Sequence, residues 1–106
     1  MNPIKLGDIA QARSGDKGNH ANIGVVAKAE SAYEFLRDEL TAEKVADYFR
    51  ALRPTRVERF ELPNVLALNF LLYNVLDGGA SRSLRTDTQG KLLGTALMQL
   101  EWGHEQ

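Results

Sequence analysis

Val65-Leu66-Ala67-Leu68-Asn69-Phe70-Leu71-Leu72-Tyr73-Asn74-Val75-Leu76 is the stretch on which the fold turns. It is apolar almost all round and is interrupted by Asn69 and Asn74. That pattern suits a helix buried on most sides, or a core strand. Its length, Asn64 as an N-cap and Gly78-Gly79 as a stop favour the helix. It is too short to span a bilayer, which takes ~20 apolar residues. An unpaired amide at Asn69 would cost about 1–3 kcal/mol, so the residue needs partners. One candidate is a backbone group of the chain. The other is a ligand or the polar segment at residues 13–22.

On the N-terminal side, Arg56 to Leu62 alternates polar and apolar with period two and reads as a strand. Val57, Phe60 and Leu62 do not share one parity. The exposed face would carry Arg and Glu, a solvated edge. Pro63-Asn64 breaks the strand. Further back, Ser31 and Glu34 form a capping box that starts a helix running to about Leu40. Thr41 is a second N-cap, and Ala42, Val45, Ala46, Phe49 and Leu52 recur at helical spacing until Pro54 stops them. Residues 4–12 read as a strand with a bulge at Gly7. Residues 13–21, RSGDKGNHA, read as a loop, and residues 23–27 as a β-branched strand. The two strands would form an antiparallel hairpin with a long tip.

On the C-terminal side, residues 83–86 read as a short strand and residues 87–90 as a turn. Leu92, Leu93, Ala96, Leu97 and Leu100 match a helical stripe, with a hairpin return through residues 91–93 as the competitor. The element order is α+β. A small antiparallel sheet with helices on one face is the simplest way to layer it.

The chain has 106 residues, enough for one domain spanning residues 1–106. Its 13 basic and 14 acidic side chains leave a net charge of -1, so no basic field recruits nucleic acid. Phe60, Phe70 and Tyr73 interleave with no basic stripe, which also argues against nucleic acid. With no cysteine, disulfide scaffolds, thiolate zinc sites and a Cys nucleophile are excluded. This composition fits a reducing cytoplasm. The first residues, Met1-Asn2-Pro3-Ile4-Lys5, lack the basic and apolar regions of a signal peptide, and no membrane partner is expected. Two histidines without a His/Asp cluster predict no metal site, and no cofactor motif is present.

Two segments carry chemistry. In Arg13-Ser14-Gly15-Asp16-Lys17-Gly18-Asn19-His20-Ala21-Asn22, the glycines free the backbone and Arg13 and Lys17 add positive charge. Such a loop could hold a carboxylate or phosphate, although Asp16 opposes that unless a neighbouring cation neutralises it. A long hairpin turn is the plainer reading. In Gly78-Gly79-Ala80-Ser81-Arg82-Ser83-Leu84-Arg85, Arg82 and Arg85 could present guanidinium forks to an anion. A glycine C-cap followed by a solvated strand is the alternative. His20 could act as acid or base near neutral pH. No nucleophile–base pair is recognisable, and no catalytic residue is assigned.

Arg13-Ser14-Gly15-Asp16-Lys17-Gly18-Asn19 with Asn22-Ile23-Gly24, then Glu61-Leu62-Pro63-Asn64 with Ala67-Leu68-Asn69-Phe70, then Gly78-Gly79 with Ser81-Arg82-Ser83-Leu84-Arg85, resembles the AtuA-like family. These are small domains at the C-terminus of acyclic terpene utilisation proteins, also found as separate short chains. The resemblance runs over about residues 4–100. It implies a ferredoxin-like α+β fold and a cytoplasmic bacterial catabolic setting, near acyl-CoA or terpenoid degradation. It also implies a shared polar surface at the matching positions: Arg13, Ser14, Asp16, Lys17, Asn19, Asn22, Asn69, Arg82 and Arg85. The expected role is an accessory subunit or domain that lends this surface to a ligand site on a larger AtuA-type protein. The alternatives are a small independent enzyme binding an anionic acyl or CoA-type substrate, with Asp16 or His20 as acid or base, and a homo-oligomeric structural module. Residues 13–22 and 78–85 are expected to lie together.

Overall fold

The computed structural model describes residues 4–75 and 93–103. The chain begins with strand β1 (Ile4–Lys5), a single turn of helix α1 (Leu6–Ile9), strand β2 (Ala10–Lys17) and strand β3 (His20–Ala27). Helices α2 (Glu30–Glu39) and α3 (Ala42–Tyr48) follow, then a 3₁₀ turn at Arg50–Leu52. Strand β4 (Arg56–Leu62), a 3₁₀ turn at Pro63–Val65 and strand β5 (Ala67–Tyr73) complete the sheet. Residues 93–97 form a helical turn, and strand β6 (Glu101–Trp102) pairs antiparallel with β1. Among the described residues the main sheet is antiparallel, in the order β2-β3-β5-β4. It is an α+β arrangement of the ferredoxin-like kind, with β3 and β5 at the centre.

The apolar stretch quoted first is a strand, not the helix that its length suggested. Leu66 (φ 56°) and Asn74 (φ 60°) bound it with left-handed residues, so the chain enters and leaves β5 by sharp turns. Leu68, Phe70 and Leu72 are fully buried on one side. Ala67, Asn69, Leu71 and Tyr73 alternate with them on the other. Because Ala67 and Leu71 are themselves apolar, the period-two signal is blurred and the segment reads as apolar all round.

The core lies on one side of the sheet. Ile23 and Val25 of β3 join Leu68, Phe70 and Leu72 of β5, and Leu36, Leu40, Val45, Phe49 and Leu97 cover them. The helices thus pack on one face, a two-layer solution. Tyr48 on α3 donates its hydroxyl to Ala96 O (2.6 Å), tying α3 to the helical turn at 93–97. Burial raises the Tyr48 phenol above its ordinary pKa. β4 is an edge strand, as its charges suggest, and carries the ion pairs Arg56–Glu58 and Arg59–Glu61. Arg59 also reaches the end of α2, donating to Arg37 O (2.8 Å) and Leu40 O (3.0 Å).

Three local expectations are corrected. Residues 4–12 are not one strand: the chain turns through α1 at Gly7. Asp8 accepts from Lys5 N (3.0 Å), and Leu6 and Gly7 donate to Leu100 O and Met98 O. A Cβ on Gly7 would stand 3.3 Å from Met98 Cβ and O, so glycine permits this close approach. α2 starts at Glu30 behind Ala29, which makes no side-chain cap bond, so Ser31 lies inside the helix. Thr41 does cap α3, accepting from Lys44 N (3.0 Å). The third correction concerns residues 13–21. They are strand almost throughout, paired from Ala10↔Ala27 to Lys17↔His20, and the tip shrinks to Gly18-Asn19. Gly18 (φ 63°) takes the left-handed conformation that the first central position of a tight hairpin turn requires.

Candidate functional site on the open sheet face

The pairing register sorts every strand residue onto one of two faces. Opposite the core, adjacent strands align in rows. One row reads Gln11, Val26, Ala67, Leu62, and the next Arg13, Gly24, Asn69, Phe60. The third is Gly15, Asn22, Leu71, Glu58. At the hairpin end lie His20, Tyr73 and Arg56. Apart from Gln11 the first row is apolar, and Val26 and Leu62 are each nearly half exposed. The last is charged and aromatic. The face therefore grades from apolar to polar along the strands.

Its middle is built from amides and glycines. Asn22 donates Nδ2–H to Asn69 Oδ1 (3.2 Å) across β3 and β5. Asn69 thus answers the demand set by its apolar surroundings with a side chain from the polar segment, not with a backbone group. Asn22 Oδ1 stands 3.6 Å from where a Cβ on Gly15 would sit, and Asn69 Oδ1 3.7 Å from that position on Gly24. Side chains at either glycine would fill the space over the amides. Arg13 lies exposed beside Gly24, with no ion-pair partner among the described residues.

At the hairpin end, Tyr73 donates its hydroxyl to Glu58 Oε1 (2.8 Å), Glu58 pairs with Arg56, and Arg56 lies over the Tyr73 ring (5.4 Å). The hydrogen bond to Glu58 raises the Tyr73 phenol above its ordinary pKa, with desolvation adding to it and Arg56 opposing it. The His20 ring packs 4.9 Å from Tyr73, and its Nδ1 accepts from Asn74 N–H (3.0 Å). A neutral His20 therefore carries its proton on Nε2.

The sequence-derived site residues separate. Arg13, Asn22 and Asn69 share the open face. Ser14 and Asp16 alternate to the other side, paired with Ile23 and Ala21. Ser14 Oγ accepts from Gly94 N–H (2.8 Å), a link across the fold that spacing could not show. Lys17 and Asn19 stand at the hairpin end. Asp16 and His20 lie on opposite sides, so they form no common acid–base pair. Arg82 and Arg85 lie outside the described residues, as does the expected juxtaposition of residues 78–85 with residues 13–22. Arg56, Glu58, Phe60 and Tyr73 belong to the same face and were not singled out. The alternation of Arg56–Leu62 is the signal for Arg56, Glu58 and Phe60, while Tyr73 lies in β5, outside it. Among the described residues no three His, Asp or Glu side chains gather as metal ligands.

A family model for the AtuA ferredoxin-like domain matches residues 4–102. The chain belongs to this family. The match covers nearly the whole chain, so the AtuA ferredoxin-like domain accounts for the sheet, its helices and the open face together. Comparison with curated proteins and with solved structures returned no match. No helix among the described residues of this AtuA ferredoxin-like domain is long and apolar enough to cross a membrane.

Proposed function

We propose that this domain is an accessory subunit or domain of a larger AtuA-type protein in cytoplasmic bacterial catabolism of terpenoids or acyl-CoA compounds. Its open sheet face lends residues to a ligand site shared with that protein. The observation that carries this reading is the half-buried Asn22–Asn69 pair on a face where the register also puts exposed Val26, Phe60 and Leu62. Apolar side chains at this exposure on one surface suit a partner, and a polar centre suits recognition. Arg13 supplies the positive charge for an anionic acyl ligand. Ser14 serves the fold through Gly94 instead.

Co-expression with the larger AtuA-type protein of the same genome tests this. The two chains should co-elute in size-exclusion chromatography. Phe60→Glu should abolish co-elution, because it places a charge on the contact face. Ile4→Glu, exposed and paired with Trp102 in the small sheet, should leave it unchanged. Separate elution of the unmodified chains would contradict the proposal.

A further inference from the structure

We infer that the free edge of β4 pairs antiparallel with the same edge of a second copy of this chain, about a two-fold axis at Phe60, to make one continuous sheet. Backbone parity identifies the groups that would pair. Ala27 donates its N–H to Leu66 O (2.8 Å), in register with the β3–β5 ladder. Hydrogen-bonded pairs alternate along an antiparallel ladder, so Leu68, Phe70 and Leu72 turn their N–H and C=O groups to β3. Ala67, Asn69, Leu71 and Tyr73 then turn theirs to β4, where Leu62, Phe60, Glu58 and Arg56 meet them. Val57, Arg59 and Glu61 are left with N–H and C=O groups aimed away from β5. No strand among the described residues pairs with that edge. Such a row is a template for another strand.

The side chains select the occupant and the register. Charges on an edge ordinarily ward off a second strand. Here they are self-complementary. A two-fold axis perpendicular to the sheet keeps the core faces of both copies on one side, so each β4 residue meets one of its own parity. Centred on Glu58, Arg59 or Glu61, the axis sets like charges directly opposite each other, which is destabilising. Centred on Phe60, it sets Arg59 against Glu61 of the second copy and Glu61 against its Arg59. Centred on Val57, it sets Arg56 against Glu58 but leaves Phe60 opposite Pro54. Of these two charge-complementary registers, the one at Phe60 also covers exposed apolar surface. Phe60 and Leu62 are 45% and 46% exposed; the two Phe60 rings face each other, and each Leu62 lies diagonal to the other copy's Phe60. Arg59 and Glu61 are residues whose backbone groups point outward, so both of their pairs close hydrogen bonds. Pro63 has no N–H and ends the ladder. The row Arg13, Gly24, Asn69, Phe60 then runs through the axis into its own repeat. The open face stays uncovered, so this pairing is independent of docking on a larger protein.

Sedimentation equilibrium of the 106-residue chain tests this. So short an overlap makes a dimer that dissociates on dilution, so the mass should climb from one chain towards two between about 10 μM and about 1 mM. Glu61→Pro removes one outward N–H, leaves the β4–β5 bonds in place and suits an edge strand. It should stay monomeric over the same range. Phe60→Cys gives an independent readout, because the chain has no cysteine. Facing Cα atoms of a non-hydrogen-bonded pair stand about 4.5 Å apart, within disulfide range. Oxidised glutathione should therefore link Phe60→Cys into a covalent dimer at least about tenfold faster than Val26→Cys, which is exposed on the same face. A chain that stays monomeric up to about 1 mM would overturn the inference. So would a dimer that Glu61→Pro leaves intact, or equal linking of the two cysteine variants. Glu61→Pro keeps Phe60 and the open face, so co-elution with the larger protein decides the docking proposal separately.

Discussion

Asn69 carries an amide into the middle of an apolar strand, and Asn22 meets it from the next strand. Both amides are half-buried, so Asn69→Leu should change unfolding free energy by about 1 kcal/mol or less in urea denaturation. Ser14 is different. Its hydroxyl is bonded to the N–H of buried Gly94. Ser14→Ala should cost about 1–3 kcal/mol in the same assay, because a buried donor loses its acceptor. Gly94 itself admits no side chain freely, since a Cβ would sit 3.1 Å from Ala12 O and Ser14 N. Tyr73 gives a pH-dependent prediction. Its phenol is raised in the folded chain by Glu58, so above about pH 10 the unfolded chain releases this proton first. The Tyr73 contribution to stability is full below that pH and is lost as pH rises through the folded value. In Glu58→Gln the Tyr73 ring resonances should titrate at lower pH than in the unmodified chain. The sequence marked Asn22, Asn69 and Arg13 as polar outliers, and they do share a face. The bond between Ser14 and Gly94 was not legible there, because the two residues lie 80 positions apart along the chain.

Among the elements, β5 shows why local pattern was insufficient. Leu68, Phe70 and Leu72 alternate correctly for a strand, but Leu71 and Ala67 on the open face hide the alternation. The decision is tertiary: β5 is flanked by β3 and β4, and pairing on both sides satisfies its backbone. The polar segment at residues 13–21 was misread for the opposite reason. Its glycines and charges resemble a loop, yet an open sheet face tolerates polar residues and the ladder with β3 does not depend on side chains. The helices were legible because Thr41 and Pro54 punctuate them, and β4 because it alternates. One element-scale prediction concerns Arg59, whose guanidinium covers Arg37 O and Leu40 O at the end of α2. Arg59→Ala should destabilise by about 1–3 kcal/mol, as bonds from a charged donor are lost. Amide exchange should speed up first in the last turn of α2, at Leu36 to Leu40.

At the scale of the molecule, the described helices form one layer on one face of the sheet, and the described residues of the other face form an amphipathic gradient. The family resemblance read from the 13–24 segment and the later blocks agrees with the family model over residues 4–102. What composition could not show is that Arg13, Asn22 and Asn69 lie on a sheet surface rather than at a loop. The most direct measurement is NMR chemical-shift mapping of the labelled chain with the larger AtuA-type protein. The account predicts perturbations concentrated at Arg13, Asn22, Gly24, Phe60, Asn69 and Tyr73, with the outer surfaces of α2 and α3 unaffected. Perturbations centred on α2 and α3, with the open face unchanged, would contradict it.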